Sequence, residues 1–457
     1  MTPVNGVHTA SSVFHRSFRK QFPSAVRGEG VYVWDSTGKR YLDLAGSAAV
    51  NLIGHGVPEI VSAMVEQASK LEFVHTSQFT TPIAEQYAEE LLAFAGEHFR
   101  EGAAYFTSGG SEAIETALKL ARQYQLEVGQ SRRHQILSRH QSYHGATLGA
   151  LSVSGNKRRR QIYLSMIREF PHIGMPYCYR CAFDCTDGCR NCGQEYAAEL
   201  ERAIEAAGGE IAAFIFEPVS GATLGAVVPP PGYLQSIAEI CRRHGVLLIA
   251  DEVMTGMGRT GRNFSVNHWD VQPDILVAAK GLSSGYAPLG AVIASRKVVE
   301  AIATGSGSFL HGFTYNAHPI SLAAGRAVLQ YLQAHNLVKA ADSNDSHSPA
   351  GEFNRALGAL FAEQSVGDVR GIGLLWAVEF VADKKTKEPF PADMAFSSKV
   401  AAAAAKRGLL VYPMQGTVDG VSGDHILLAP PAVINTGEIS WSVEQLSASI
   451  GEAAREL

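Results

Sequence analysis

No apolar run in this chain of 457 residues approaches the roughly 18 that a membrane-spanning helix needs. Basic residues are not in excess. Lysine and arginine number 39 against 44 acidic residues, a formal net charge of -5, so neither nucleic acid nor a membrane is an expected partner. No internal repeat occurs at solenoid periods and no low-complexity linker divides the chain. The opening residues, M-T-P-V-N-G-V-H-T-A-S-S, hold neither an apolar signal core nor an arginine-rich amphipathic pattern, and a cytoplasmic protein is expected. What is present, 46% hydrophobic and 18% charged residues, is the composition of an ordinary globular enzyme. The length calls for two or three domains.

Cysteine is scarce outside one stretch. Cys178, Cys181, Cys185, Cys189 and Cys192 crowd together and Cys241 stands apart. C-x-x-C pairs in a reducing compartment raise zinc before disulfides. Here the pairs are close together, a fifth cysteine is left over and no structural module surrounds them. The expectation is a surface insertion of reduced or loosely paired thiols, with no metal.

Residues 28 to 45, R-G-E-G-V-Y-V-W-D-S-T-G-K-R-Y-L-D-L, alternate apolar and polar around a Ser-Thr-Gly turn and predict a hairpin. Helical spacing dominates from about 58 to 125. From about 134 to 320 short apolar strands alternate with helical stretches, which predicts an α/β fold with a mostly parallel sheet between helices. Beyond about 325, helices mix with V-G-D-V-R-G-I-G-L-L-W-A-V-E-F, a hairpin-like pair. The expected organisation is a large domain over 61–324, carrying the cysteine-rich insertion 176–193. A smaller α+β domain over 325–457 is joined by the amino-terminal segment 1–60.

Two strand ends carry the chemistry. Asp251 closes G-V-L-L-I-A-D-E-V and Lys280 closes P-D-I-L-V-A-A-K-G, with the glycine-rich turn Gly256 to Gly261 between them. A carboxylate and an amine at the carboxyl ends of buried strands stand where open α/β sheets hold ligands. Pyridoxal 5'-phosphate needs that pair: an amine for its aldehyde and a carboxylate to keep the pyridine nitrogen protonated. A lysine behind five apolar or small residues is also poorly solvated, which lowers its pKa. Ser108-Gly109-Gly110-Ser111 precedes a helical repeat and offers unpaired backbone N–H groups to an anion, or simply caps the helix. In S-Y-H-G, Tyr143 can stack on a flat ring, beside His144. Glu217, in F-I-F-E-P-V, stands at a third strand end.

In this order these motifs resemble the class III pyridoxal-phosphate aminotransferases, the ω-aminotransferase group of the type I fold. The resemblance runs from R-G-E-G-V-Y-V-W-D and N-L-I-G-H-G through S-G-G-S-E-A, S-Y-H-G, E-P-V-S-G, A-D-E-V-M-T-G-M-G-R-T-G and A-A-K-G to H-G-F-T-Y-N-A-H-P and L-A-P-P. It implies Lys280 as the Schiff-base lysine and Asp251 as the partner of the pyridine nitrogen. Val253 and Tyr143 would take opposite ring faces, with Gly110 and Ser111 at the phosphate and His144 and Glu217 nearby. Thr314 would reach the phosphate of a neighbouring subunit, making a homodimer or a dimer of dimers. The implied reaction is ping-pong transfer of an amino group from an amine to a keto acid. A dedicated 4-aminobutyrate, β-alanine or diamine enzyme, an aminomutase and a racemase share the same residues.

One departure bears on the substrate. Family members that act on ornithine-like amino acids carry an arginine just before A-P-P, and this chain has Leu427 there, with no arginine from Gly408 to Pro431. An apolar residue cannot pair a carboxylate, so amines lacking an α-carboxylate, or ω-amino acids, are the expected donors. Ala48 and Ala49 stand where some relatives place a bulky aromatic wall, implying room for a larger amine. The basic run Lys157 to Arg160 either neutralises an anionic substrate or faces solvent.

Overall fold

The computed structural model describes residues 11–183, 189 and 192–456. At its centre is a seven-stranded sheet in the order Ala103–Thr107, Gly290–Ala294, Ile275–Ala278, Leu247–Asp251, Ile211–Phe216, Gln135–Arg139, His172–Ile173. The last five run parallel to one another, and Gly290–Ala294 is antiparallel to both its neighbours. The sheet is mixed and mostly parallel, as the alternation of strands and helices predicts.

The parallel strands are near-continuous apolar runs because both faces are covered. Every residue of Ile211–Phe216, Leu247–Asp251 and Ile275–Ala278 is buried. Successive side chains point to opposite faces. Ile215, Ile249 and Val277 pack under Ile114, Ala117 and Ala121 of the helix Gly110–Glu127. Phe214, Leu248 and Leu276 pack on the other side with Leu200 and Ile237, from the helices Cys192–Ala206 and Tyr233–His244. Each such side chain contributes about 1.5–3 kcal/mol on burial.

The strand Ala103–Thr107 lies inside the stretch whose spacing reads as helical. The helices there are Pro58–Lys70, Pro82–Ala95 and Gly110–Glu127. A-A-Y-F-T is a five-residue edge strand whose partner, Gly290–Ala294, comes far later in the chain. Local periodicity cannot register such a pairing.

Two smaller four-stranded sheets flank this core. The predicted hairpin is Tyr32–Asp35 and Arg40–Asp43, with Ala25–Glu29 on its outer edge. Asp35 sets its turn by accepting from the Thr37 and Lys39 N–H groups at 2.9 and 3.1 Å. Leu409–Leu410 pairs in parallel with Leu42–Asp43, tying this hairpin to the far end of the chain. The other sheet joins Val366–Ile372, Leu375–Phe380, Asp424–Leu428 and Tyr412–Gln415, all antiparallel. Among the described residues no helix is long and apolar enough to cross a membrane.

Candidate active site

The carboxyl ends of the parallel strands open into a cavity of about 460 Å³, within the usual range for small-molecule sites. Asp251 ends its strand, Glu217 follows Ile211–Phe216, Tyr143 and His144 follow Gln135–Arg139, and Lys280 stands two residues beyond Ile275–Ala278. All five line the cavity, with Val253, Gly110 and Ser111. Lys280 takes a left-handed backbone, φ 43°, a conformation that costs a residue with a Cβ roughly 1–2 kcal/mol.

Asp251 is buried and held from two sides. One carboxylate oxygen is 2.7 Å from His144 Nδ1 and the other accepts from the Val253 N–H at 3.0 Å. The His144 ring is wholly buried, and its Nε2 has no partner among the described residues. Glu217, also buried, accepts from the Gly221 N–H at 2.9 Å and the Tyr143 N–H at 3.3 Å. Burial raises the Glu217 pKa above the ordinary carboxylate value, only partly offset by His144 and Arg139. Desolvation lowers Lys280 to about 8, against the opposing pull of Asp251 and Glu217. The site therefore holds two acidic groups facing an amine that loses its proton easily.

The phosphate-sized end of the cavity is built by glycine. Gly109 is extended, and Gly110 starts the helix Gly110–Glu127, with the Ser108 N–H donating to Glu112 at 2.9 Å. A Cβ on Gly110 would stand 3.1 Å from Val253 Cγ1, so the helix start packs flush against that wall. Gly145, at φ 140°, lets the next N–H, of Ala146, reach Ser111 Oγ at 3.0 Å; a Cβ there would stand 2.7 Å from that oxygen. Free N–H groups and the positive end of the dipole make this a place for an anion.

Four of the sequence-derived positions lie outside the cavity wall. Thr314 is exposed, on a turn preceding the helix Pro319–Ala334. Ala48 and Ala49 belong to a left-handed turn, with φ of 66° and 60°. That conformation costs any residue with a Cβ roughly 1–2 kcal/mol, so it does not account for alanine there. Ala49 and Leu427 are buried together against Val219, whose side lines the cavity. They form the layer behind it.

The basic run divides: Lys157 and Arg158 are exposed, while Arg159 and Arg160 are half-buried. The Arg159 guanidinium lies over the Tyr143 ring, 4.5 Å from its centroid. Sequence reasoning missed Arg259. It is fully buried in the turn G-M-G-R-T-G and donates to the carbonyls of Asn51 (2.8 Å), Ala429 (3.1 Å) and Pro430 (2.5 Å). Burial lowers it to about 10. An arginine among glycines hints at such a clamp, but the carbonyls it gathers are visible only in three dimensions.

The Aminotransferase class-III family model matches residues 14–450. Among curated relatives, the uncharacterized aminotransferase YodT of Bacillus subtilis is 41% identical, over 95% of this chain and 96% of its own length. Among solved structures, an (S)-enantioselective omega-transaminase from Thermomicrobium roseum matches with a TM-score of 0.88 at 38% identity, covering 97% and 96% of the two chains. An omega transaminase from Pseudomonas jessenii, solved in complex with PMP, matches at 0.87 and 31% identity, covering 95% and 93%.

Proposed function

The chain belongs to the class III aminotransferase family, and on that premise we propose that it moves an amino group from a simple amine or ω-amino acid to a keto acid such as pyruvate, with pyridoxal phosphate as cofactor. The observation that carries this is the buried His144–Asp251 pair sharing a cavity with a desolvated lysine, all at parallel strand ends.

The residues fit pyridoxal phosphate. Asp251 offers a buried carboxylate to a ring nitrogen, the glycine-built helix start offers N–H groups to a phosphate, and Val253 and Tyr143 offer flat contact on the cavity wall. When bound, the cofactor supplies an electron sink for the charge left on the amine's carbon as its proton leaves. The chain supplies the rest. Lys280 Nζ, lowered to about 8, is neutral often enough near neutral pH that it would take that proton and return it two atoms further along, on the far side of the substrate nitrogen. His144 orients the Asp251 carboxylate through their 2.7 Å bond, leaving it aimed at the ring nitrogen it would pair. Glu217, anchored by the Gly221 and Tyr143 N–H groups, positions the loop that carries Tyr143. Both half-reactions use one site and one lysine, which gives ping-pong kinetics.

Substrate preference follows from charge. Leu427 is fully buried and offers nothing to an α-carboxylate. Arg159, stacked on Tyr143, places a positive charge beside the cavity for the acceptor's carboxylate. Thr314, exposed on its turn, serves the neighbouring site in a cytoplasmic homodimer.

The test is the cofactor's visible absorbance in purified protein, followed with a panel of amines. An alkylamine, aryl-alkylamine or ω-amino acid should bleach it, and pyruvate should restore it. Colourless protein that cannot be reconstituted overturns the proposal. Ornithine or acetylornithine as the best donor overturns the substrate preference alone.

A further inference from the structure

The cysteine-rich segment takes no part in the chemistry above. Cys178 opens a short 3-10 turn, Cys178–Arg180, and Cys192 opens the fifteen-residue helix Cys192–Ala206. The sulfur atoms of Cys178, Cys189 and Cys192 all lie within 4.8 Å of one another. Cys181 is close enough to interact electrostatically with both Cys178 and Cys192, and its sulfur is 3.7 Å from the Tyr196 hydroxyl. Cys185 lies outside the described residues.

We propose that Cys178, Cys181, Cys189 and Cys192 bind one structural zinc ion. Four sulfurs bonded to tetrahedral zinc at about 2.3 Å stand about 3.8 Å apart. For Cys178, Cys189 and Cys192, within 4.8 Å of one another, a contraction of only about an ångström reaches that arrangement, and Cys181 is the neighbour that completes it. Both pairs are C-x-x-C, the spacing that wraps two sulfurs around one ion. Each thiol gives its proton to solvent as its Zn–S bond forms, leaving a site with two negative charges. Arg180, Arg370 and Lys387, together with Asp368, line the groove beside the thiols.

The expectation of loose surface thiols is revised on two counts. Cys192 is 3% exposed, so the cluster is rooted in the core rather than displayed. The cluster also has a built surround, since the Phe183 ring packs edge-on against Tyr196, 4.7 Å between centroids.

Such an ion would act as a staple. Tyr177 and Arg180 flank Cys178 and both bond to Glu379, which is fully buried on the strand Leu375–Phe380; the arginine contact is 2.8 Å. Arg370 bonds the same carboxylate at 2.8 Å and donates to the Leu224 and Gly225 carbonyls. That loop carries Ala222, part of the cavity wall. Zinc would fix the cysteine turn and, through Glu379 and Arg370, brace the cavity from behind.

The experiment is metal analysis of the full chain, purified under reducing conditions and without a metal-affinity step. One zinc per chain is expected, released stoichiometrically when a mercurial titrates the thiols. It should be lost in the pair Cys178→Ser and Cys189→Ser, and kept in Cys241→Ser. Should the double variant fail to fold, growth of the parent protein on cobalt decides, because a tetrathiolate cobalt site absorbs visible light with a distinctive pattern. Protein without stoichiometric zinc, iron in its place, or disulfides between these cysteines on alkylation mass spectrometry would each overturn the proposal.

Discussion

Removing a negative charge beside Lys280 should make that lysine a weaker base. In the folded chain desolvation brings it from an ordinary 10.5 to about 8, while Asp251 and, after it, Glu217 pull the other way. At pH 7 roughly one in ten Lys280 amines is then neutral, about 300-fold more than for an exposed lysine. Asp251→Asn and Glu217→Gln keep shape and lose charge, so both should lower the midpoint further, Asp251→Asn by more. Competitive acetylation of the cofactor-free protein across pH, read lysine by lysine with mass spectrometry, measures it directly. The exposed Lys70 serves as the internal reference. A Lys280 midpoint at or above 10, or an upward move in Asp251→Asn, would refute the electrostatic account. The sign for stability follows from the same shift. The unfolded chain holds this proton between about pH 8 and 10.5 and the folded chain does not. Lys280 thus penalises folding below pH 8, and that penalty fades as pH rises to 10.5.

Three further outcomes are expected. Gly110→Ala adds a methyl 3.1 Å from Val253 Cγ1 without harming helix propensity. It should weaken cofactor affinity about tenfold, roughly 1.4 kcal/mol, in an absorbance titration, and unchanged affinity would count against the phosphate assignment. Arg259→Met leaves the Asn51, Ala429 and Pro430 carbonyls without their donor, and should cost about 2–4 kcal/mol in denaturant unfolding followed by circular dichroism. His425 is fully buried and lowered by burial to about 4, so the unfolded chain takes up its proton first as pH falls. Stability should decline from about pH 6.5 to pH 4, by up to about 3 kcal/mol from this group, and His425→Asn should flatten that part of the unfolding curve.

The strand-end pair was legible because burial and chirality leave few places for charge in a run such as L-L-I-A-D, wholly buried here. A charged residue after such a run marks the end of a strand, and Asp251 and Lys280 could be placed from one sequence. His144 was harder: its bond to Asp251 joins residues 107 positions apart, and nothing local in S-Y-H-G specifies it. The short strand Ala103–Thr107 was hidden for the same reason. Arg159 shows the limit of composition, since four consecutive basic residues look alike until the fold turns one of them over Tyr143. Ala48 and Ala49 lie in a left-handed turn outside the cavity wall, a backbone path that nothing in the local sequence announces.

The carbonyls that Arg259 gathers come from Asn51, 208 residues before it, and Pro430, 171 residues after it. Closing loops of that size costs entropy before any contact repays it, and topologies of high contact order fold slowly. The Arg259 clamp therefore closes only when three distant stretches of chain have met, and the central sheet, which pairs Ala103–Thr107 with Gly290–Ala294, carries a loop cost of the same order.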